Sequence, residues 1–154
     1  MKKPLLIIIL AFVIIMLTLV GMMINNNSII AQVKKDNKQY EIYLGKTILG
    51  TDVATLMNRV TEQNKKKNLP KDEKGLYIDN GEDSIRVDIK MTTVDMTYPM
   101  ETFIDNDIIF FIKNFNLVDF KCTTIEYHKK TGRVSKIVFE EIAELEDTED
   151  FEEE

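Results

Sequence analysis

Residues 5–24 read LLIIILAFVIIMLTLVGMMI, an uncharged stretch in which Thr18 is the one hydroxyl or amide side chain. Twenty such residues in a helix, at about 1.5 Å each, reach roughly 30 Å, the thickness of a bilayer's hydrocarbon core. A buried helix of a soluble protein would normally keep a polar stripe, and this one has none. A cleaved secretory signal is the alternative, but its apolar part runs only about 7–15 residues before a small-x-small site. Leu19-Val20-Gly21 and Ile29-Ile30-Ala31 both fit such a site poorly, and the sole cysteine is far away at position 122. The expectation is a retained transmembrane anchor over residues 1–24, held in a lipid bilayer through residues 5–24.

The flanks bear on direction. Lys2 and Lys3 precede the apolar run, and Lys34, Lys35 and Lys38 follow it. Basic residues favour the cytoplasmic side, so the two groups compete. A basic start before an apolar run is how exported chains begin, which places the N terminus inside and the remainder outside, as a single-pass protein of the cell membrane.

Beyond the anchor about 130 residues remain, enough for one compact domain and too few for two. The net charge of -6 is unevenly placed, because ten of the 26 acidic residues fall in positions 140–154. The rest of the chain carries 20 basic against 16 acidic residues, a net of +4. A mildly basic body with an acidic tail results, and no basic face interleaved with aromatics argues for a nucleic-acid partner. Cys122 is the single cysteine. No internal disulfide can form, so packing alone must hold the fold.

Read in order, residues 25–39 are polar and lysine-rich, a stalk or a helical continuation of the anchor. Tyr40, Ile42 and Leu44 alternate with Glu41 and Tyr43, which predicts a strand ending near Gly45. Thr51 is a good N-cap with Asp52 favourable behind it, and Val53, Leu56, Met57 and Val60 fall at helical spacing. The run Lys65-Lys66-Lys67 reads as that helix's solvated last turn. Asn80-Gly81 is the strongest short hairpin signal in the chain. A two-residue turn there would pair Leu76 with Ile85 and place Leu76, Ile78, Ile85 and Val87 on one face. Pro99 suits the first position of a short helix, and Asp105-Asn106-Asp107 would cap a second one over Ile108–Phe115. Ile109 and Phe110 make that second helix apolar nearly all round, which predicts deep burial or an exposed sticky face.

A further hairpin is expected around Lys129-Lys130-Thr131-Gly132, with Gly132 at a left-handed bulge position. Pairing Lys129 with Arg133 sets Ile125 opposite Ile137, Glu126 opposite Lys136 and Lys121 opposite Glu141, with Ile125, Tyr127, Ile137 and Phe139 facing inward. The predicted organisation is an anchor (1–24), a polar stalk (25–39), a soluble domain (40–142) and a disordered acidic tail (143–154). Its fold class is α+β: after the transmembrane helix, a small antiparallel sheet in the order β-α-β-β-α-β-β, with two to three helices on one side.

Catalytic chemistry finds little footing. His128 and Cys122 lie six residues apart on one expected strand, roughly 20 Å between backbones at about 3.3 Å per residue, too far for a thiol–imidazole pair. One His and one Cys cannot build a zinc site rich in either. No nucleophile elbow and no phosphate-binding loop occur. His128 is expected as a solvated turn residue and Cys122 as a small half-buried filler. Asp79, Glu82 and Asp83 have the chemistry for calcium but lack the remaining positions of an EF-hand loop. Glu101, Asp105 and Asp107 are the only carboxylates that could support acid–base work, and helix capping explains each. No catalytic, metal or cofactor site is therefore expected, and no small-molecule substrate. The expected role is a non-catalytic binding or assembly module with a protein partner or self-association.

Two segments, GTDVATLMNRVTEQNKKKNLPKDEKGLYID and FKCTTIEYHKKTGRVSKIVF, resemble small membrane-anchored proteins of clostridia-like Gram-positive bacteria, a group with no activity to carry over. That resemblance implies a place at the bacterial cell envelope. The layout of an apolar N-terminal helix before an α+β domain is also similar to type IV pilins and pseudopilins. Their processing motif, a glycine before phenylalanine with a glutamate five residues into the helix, is missing: Met22 follows Gly21, and residues 4–24 hold no carboxylate.

Overall fold

A computed structural model describes residues 2–105 and 108–143. The chain divides into two compact units, residues 1–38 and 39–154. The first consists of most of helix α1, Lys2–Glu41, which is long and apolar enough to cross a membrane, with none of its most apolar window buried. Polar residues 25–39 continue the same helix without a break, and Gln32 donates to Asp36 one turn on at 2.7 Å.

The second unit is α+β. After the end of α1 come β1 (Thr47–Leu49), α2 (Gly50–Lys66), β2 (Arg86–Met91), β3 (Met96–Pro99), α3 (Met100–Ile104), α4 (Ile108–Phe115), β4 (Asp119–Tyr127) and β5 (Val134–Glu141). The strands form one sheet in the order β1-β4-β5-β2-β3. The all-antiparallel sheet expected from tight hairpins is corrected here: β2 and β5 run parallel, with Val87 beside Ile137 and Ile89 beside Phe139. Between them in sequence lie β3, both short helices and β4, enough chain to bring β5 back in the same direction. The sheet is mixed.

One face of the sheet is the core. Val87, Ile89, Ile137, Phe139, Phe120 and Cys122 are fully buried there, covered by Val53, Leu56, Met57 and Val60 of α2 and by Phe111 of α4. The other face is polar and laced with ion pairs, Lys136 to Asp88 at 3.0 Å and Lys90 to Glu140 at 2.6 Å. Strand alternation sorts the two sets, so each residue type finds its solvent.

Several expectations change at particular residues. Tyr40–Leu44 is not a strand. It is the last turn of α1 and a tight exit from it, in which Tyr43 N–H and Leu44 N–H bond the carbonyls three residues back at 3.0 and 3.1 Å. Tyr40 is buried and Tyr43 stacks edge-on against Phe139 at 6.2 Å, whereas Ile42 and Leu44 face solvent. The spacing of three, not two, is what the core uses. Gly45, at φ +74°, turns the chain out, and its N–H meets Cys122 O at 2.8 Å.

Helix α2 begins one residue before Thr51, and Leu49 stands at its N-cap position without a side-chain bond. Thr51 lies inside the helix and does not cap it, and one of the free first-turn donors, Gly50 N–H, is met by Val118 O at 2.9 Å. The site is too tight for any side chain, since a Cβ on Gly50 would lie 1.8 Å from Phe115 O. At the other end Asn68 adopts φ 54° just beyond the cap, a left-handed exit that asparagine tolerates.

The Asn80-Gly81 hairpin does not form. Gly81 has φ +69° but Asn80 is not left-handed, so the type I′ turn lacks one of its two required residues. Instead the Asn80 side-chain oxygen accepts from the N–H groups of Glu82, Asp83 and Ser84, each at 3.0 Å, and curls the loop on itself. Ile78 is left exposed and Leu76 half-buried, while Ile85 and Val87 are buried as expected. β2 finds its antiparallel partner downstream in β3, through a turn ending at Asp95 with φ 49°.

The β4–β5 hairpin keeps the expected pairs Ile125–Ile137 and Glu126–Lys136. Lys121 meets Glu140, not Glu141, because an irregularity between Cys122 and Thr124 shifts the register by one. The turn closes at His128, whose N–H bonds Arg133 O and whose carbonyl receives Gly132 N–H, both at 2.8 Å, with Gly132 at φ +67°. Irregularities at Cys122/Thr124 and at Glu126/Tyr127 accompany a changed inner face: Phe120 and Cys122 fill the core, and Tyr127 is exposed at the rim with its hydroxyl on Glu41 at 3.0 Å. Helix α4 occupies the expected span. Asp107, Asn106 and all of the expected acidic tail but Ala143 lie outside the described residues.

Candidate functional site

Of the three candidate carboxylates, two are described, and both are engaged by the fold. Glu101, in the first turn of α3, is buried and accepts from Tyr77 N–H at 3.2 Å. Asp105, just past the end of α3, pairs with Lys71, whose ammonium sits 4.8 Å from the centre of the Tyr77 ring. Burial works against the charge of Lys71, but the hydrogen bond and charge of Asp105 outweigh it and hold the Lys71 pKa above its usual value. Burial pushes the Tyr77 phenol up as well, with Asp105 and Glu101 adding to the rise and Lys71 opposing it. The four side chains tie the 71–77 loop to α3. Lys71 occupies the carboxylate that would have to act as acid or base.

His128 is buried, which corrects the expectation of a solvated turn residue. Its Nε2 lies 2.7 Å from Ser84 O, and a carbonyl can only accept, so Nε2 carries the proton. Nδ1 faces Asp79 at 3.7 Å. The ring thus clips the β4–β5 turn to the 79–84 loop, a task shared by Thr131 with Glu82 O and by Lys130 with the Glu82 carboxylate. Cys122 is fully rather than half buried. Burial pushes its thiol up to about 11, partly offset by a backbone hydrogen bond at Thr124, so it stays a protonated core filler.

Asp79, Glu82 and Asp83 spend their oxygens within the loop and on its neighbours. Asp79 accepts from Gly81 N–H at 2.8 Å and from Ser84 Oγ at 2.7 Å, which hold its carboxyl below the usual range. Asp83 takes the Asn80 amide at 2.8 Å and Lys67 at 3.1 Å. Lys67 therefore has a structural partner, while Lys65 and Lys66 close the last turn of α2. Among the described residues no group of three or more His, Cys, Asp and Glu is placed to hold a metal ion. One buried acceptor, Asp88 Oδ1, has no partner among them, but its neighbour oxygen is already on Lys136 and the atom is closed off from solvent.

Two concavities stand out among the described residues. One, of about 380 Å³, is lined by Leu117, Val118, Asp119, Glu141 and Ile142. The buried Glu141 there accepts from Thr93 N–H at 3.2 Å and Thr93 Oγ1 at 2.9 Å, fastening the β2–β3 turn to the end of β5. The other is an apolar groove of about 310 Å³ between that turn and the short helices, walled by Met91, Val94, Tyr98, Phe103, Phe110 and Phe115. Sequence reasoning flagged one wall of this groove, since α4 is too apolar to be an ordinary surface helix. It missed Val94 and Tyr98, because nothing in Thr92-Thr93-Val94-Asp95 announces a hairpin. Of α4 itself, Phe111 goes to the core while Ile109 and Phe110 stay exposed. Burial and exposure are not alternatives here: the helix does both, on different sides.

In comparison with known proteins, the chain matches no family model, no curated protein and no solved structure.

Proposed function

We propose that this protein is a membrane-tethered module of the bacterial cell envelope, with its N terminus inside and its domain outside, that acts by binding or assembly and not by catalysis. The observation that carries the reading is helix α1, whose uncharged residues 5–24 match a bilayer in length and whose side chains from Ile7 to Ile24 are exposed. Support for a non-catalytic role comes from the domain: Glu101, Asp105, His128 and Cys122 each have a job in holding the fold. Crosslinking in intact cells, then purification from membranes, tests it together with protease access. A captured partner or copy and an externally cleaved domain are expected. A domain protected in intact cells but cleaved after lysis reverses the orientation, and turnover of a substrate that is lost with Glu101→Gln removes the non-catalytic reading.

A second reading is a pilin-like filament subunit. It is favoured by the unbroken 40-residue helix with an apolar first half. Sheared surface filaments containing the chain, or processing near Gly21, would support it, and a full-length unassembled chain in membranes would count against it.

A further inference from the structure

The groove beside α4 is the least explained surface of the domain. Val94, Met96, Ile109, Phe110 and Leu117 are each between 52% and 77% exposed. Four of them are linked through the two concavities: Val94 and Phe110 wall the groove with Tyr98, whose hydroxyl reaches Met96 Sδ at 3.4 Å, and Thr93 borders both the groove and the concavity of Leu117; Ile109 precedes Phe110 on α4. We propose that this face, formed by α4 and the β2–β3 turn, is where two copies of the chain pair.

Area is the first argument for a second copy. At roughly 200 Å² for a large apolar side chain, the five present about 600 Å² on one copy. A symmetric pair would then bury about 1,200 Å², the lower end of the range of stable interfaces. Symmetry is the second. A two-fold contact sets each patch against itself, so a charged patch would meet its own charge; the walls of this groove hold no carboxylate, lysine or arginine, and the charges of the wider face are Asp95 on the turn, Lys113 on α4 and Asp119 and Glu141 beside Leu117. A bilayer as occupant is less favoured, since lipid-facing surfaces are rimmed with Lys and Arg, and α4 offers Lys113 alone. An interface at the lower size limit is enough if copies share a membrane, because confinement raises their effective concentration. That last step rests on the tethered reading; the area and symmetry arguments do not.

The test uses the full-length chain in mild detergent, by sedimentation over a range of protein-to-detergent ratios. A reversible dimer is expected, weakened about tenfold or more by Val94→Asp, which puts like charges face to face. A monomer at every ratio overturns the proposal, and so does a dimer that Val94→Asp leaves unchanged, which would place self-association elsewhere. If Val94→Asp fails to fold, V94C decides: Cys122 is buried, so a bismaleimide should link two chains through position 94 and not through K74C on another loop. Equal linking by both, or none by either, again overturns the proposal. A chain that pairs but leaves the membrane fraction refutes the tether and spares the interface, and a membrane-bound monomer does the reverse.

Discussion

Helices α2 and α4 cover the same face of the sheet but relate to it differently. α2 turns Val53, Leu56, Met57 and Val60 inward and leaves Asp52, Glu62 and Lys66 to water. α4 turns in Phe111, whose ring lies 5.9 Å from Phe120 and 4.8 Å from Phe103, and leaves Ile109 and Phe110 outside. The first is amphipathic in the usual way and explains itself as structure. The second carries more apolar surface than its own domain covers, and such surplus is the mark of a contact surface. Stability resides in α2 and the sheet, and the proposed pairing surface lies on α4.

The largest effect should come from emptying the α2 side. Leu56→Ala removes a fully buried side chain and should cost about 2–5 kcal/mol in denaturant unfolding. A cost near zero would show that α2 is not the structural helix. Next is the point where the two helices meet. A Cβ at position 50 collides with Phe115 O, so Gly50→Ala should cost about 1–3 kcal/mol or more as α4 is pushed from α2.

Legibility in the sequence follows the same divide. The span of α4, the buried stripe of α2 and the central register of β4–β5 were all readable, because each rests on a period within one segment. What failed was decided by distant residues. Val118 O takes Gly50 N–H where the helix begins, ahead of Thr51, and Phe139 draws in Tyr43 in place of Ile42. The Asn80 side chain outcompetes its own turn by taking three N–H groups. The parallel β2–β5 pairing has no local signal at all. For the site, α4's excess of apolar residues was visible, but the groove's second wall required a hairpin that only the folded sheet reveals.

Smaller effects test the ties that hold these elements. Asp79 and Asp83 both titrate below the usual carboxylate value. For Asp83, burial raises the pKa but is outweighed by the hydrogen bonds of Asn80 and Lys67. A depressed pKa means their stabilisation is present above the unfolded carboxylate pKa of about 4 and is lost as pH falls through the folded values. Lys71 has the opposite sign: its stabilisation is present below the unfolded value and is lost as pH rises through the higher folded one. Asp79 is 60% exposed, so screening keeps its share small. Thermal melts of Asp79→Asn should show a shallower acid limb and an unchanged alkaline one, and equal change in both limbs would contradict the assignment. Smallest of all, Ile109→Ser on the exposed side of α4 should shift stability by no more than about 0.5 kcal/mol. A loss like that of Leu56→Ala would mean that α4's outer face is core.

The proposed place of this domain depends on α1. The direct test is to wash membranes from cells making the full-length chain with alkaline carbonate and to weigh the retained protein by mass spectrometry. The account predicts that the intact chain, with residues 5–24 still attached, stays in the membrane pellet. A shortened chain lacking those residues, recovered in the soluble fraction, would contradict it.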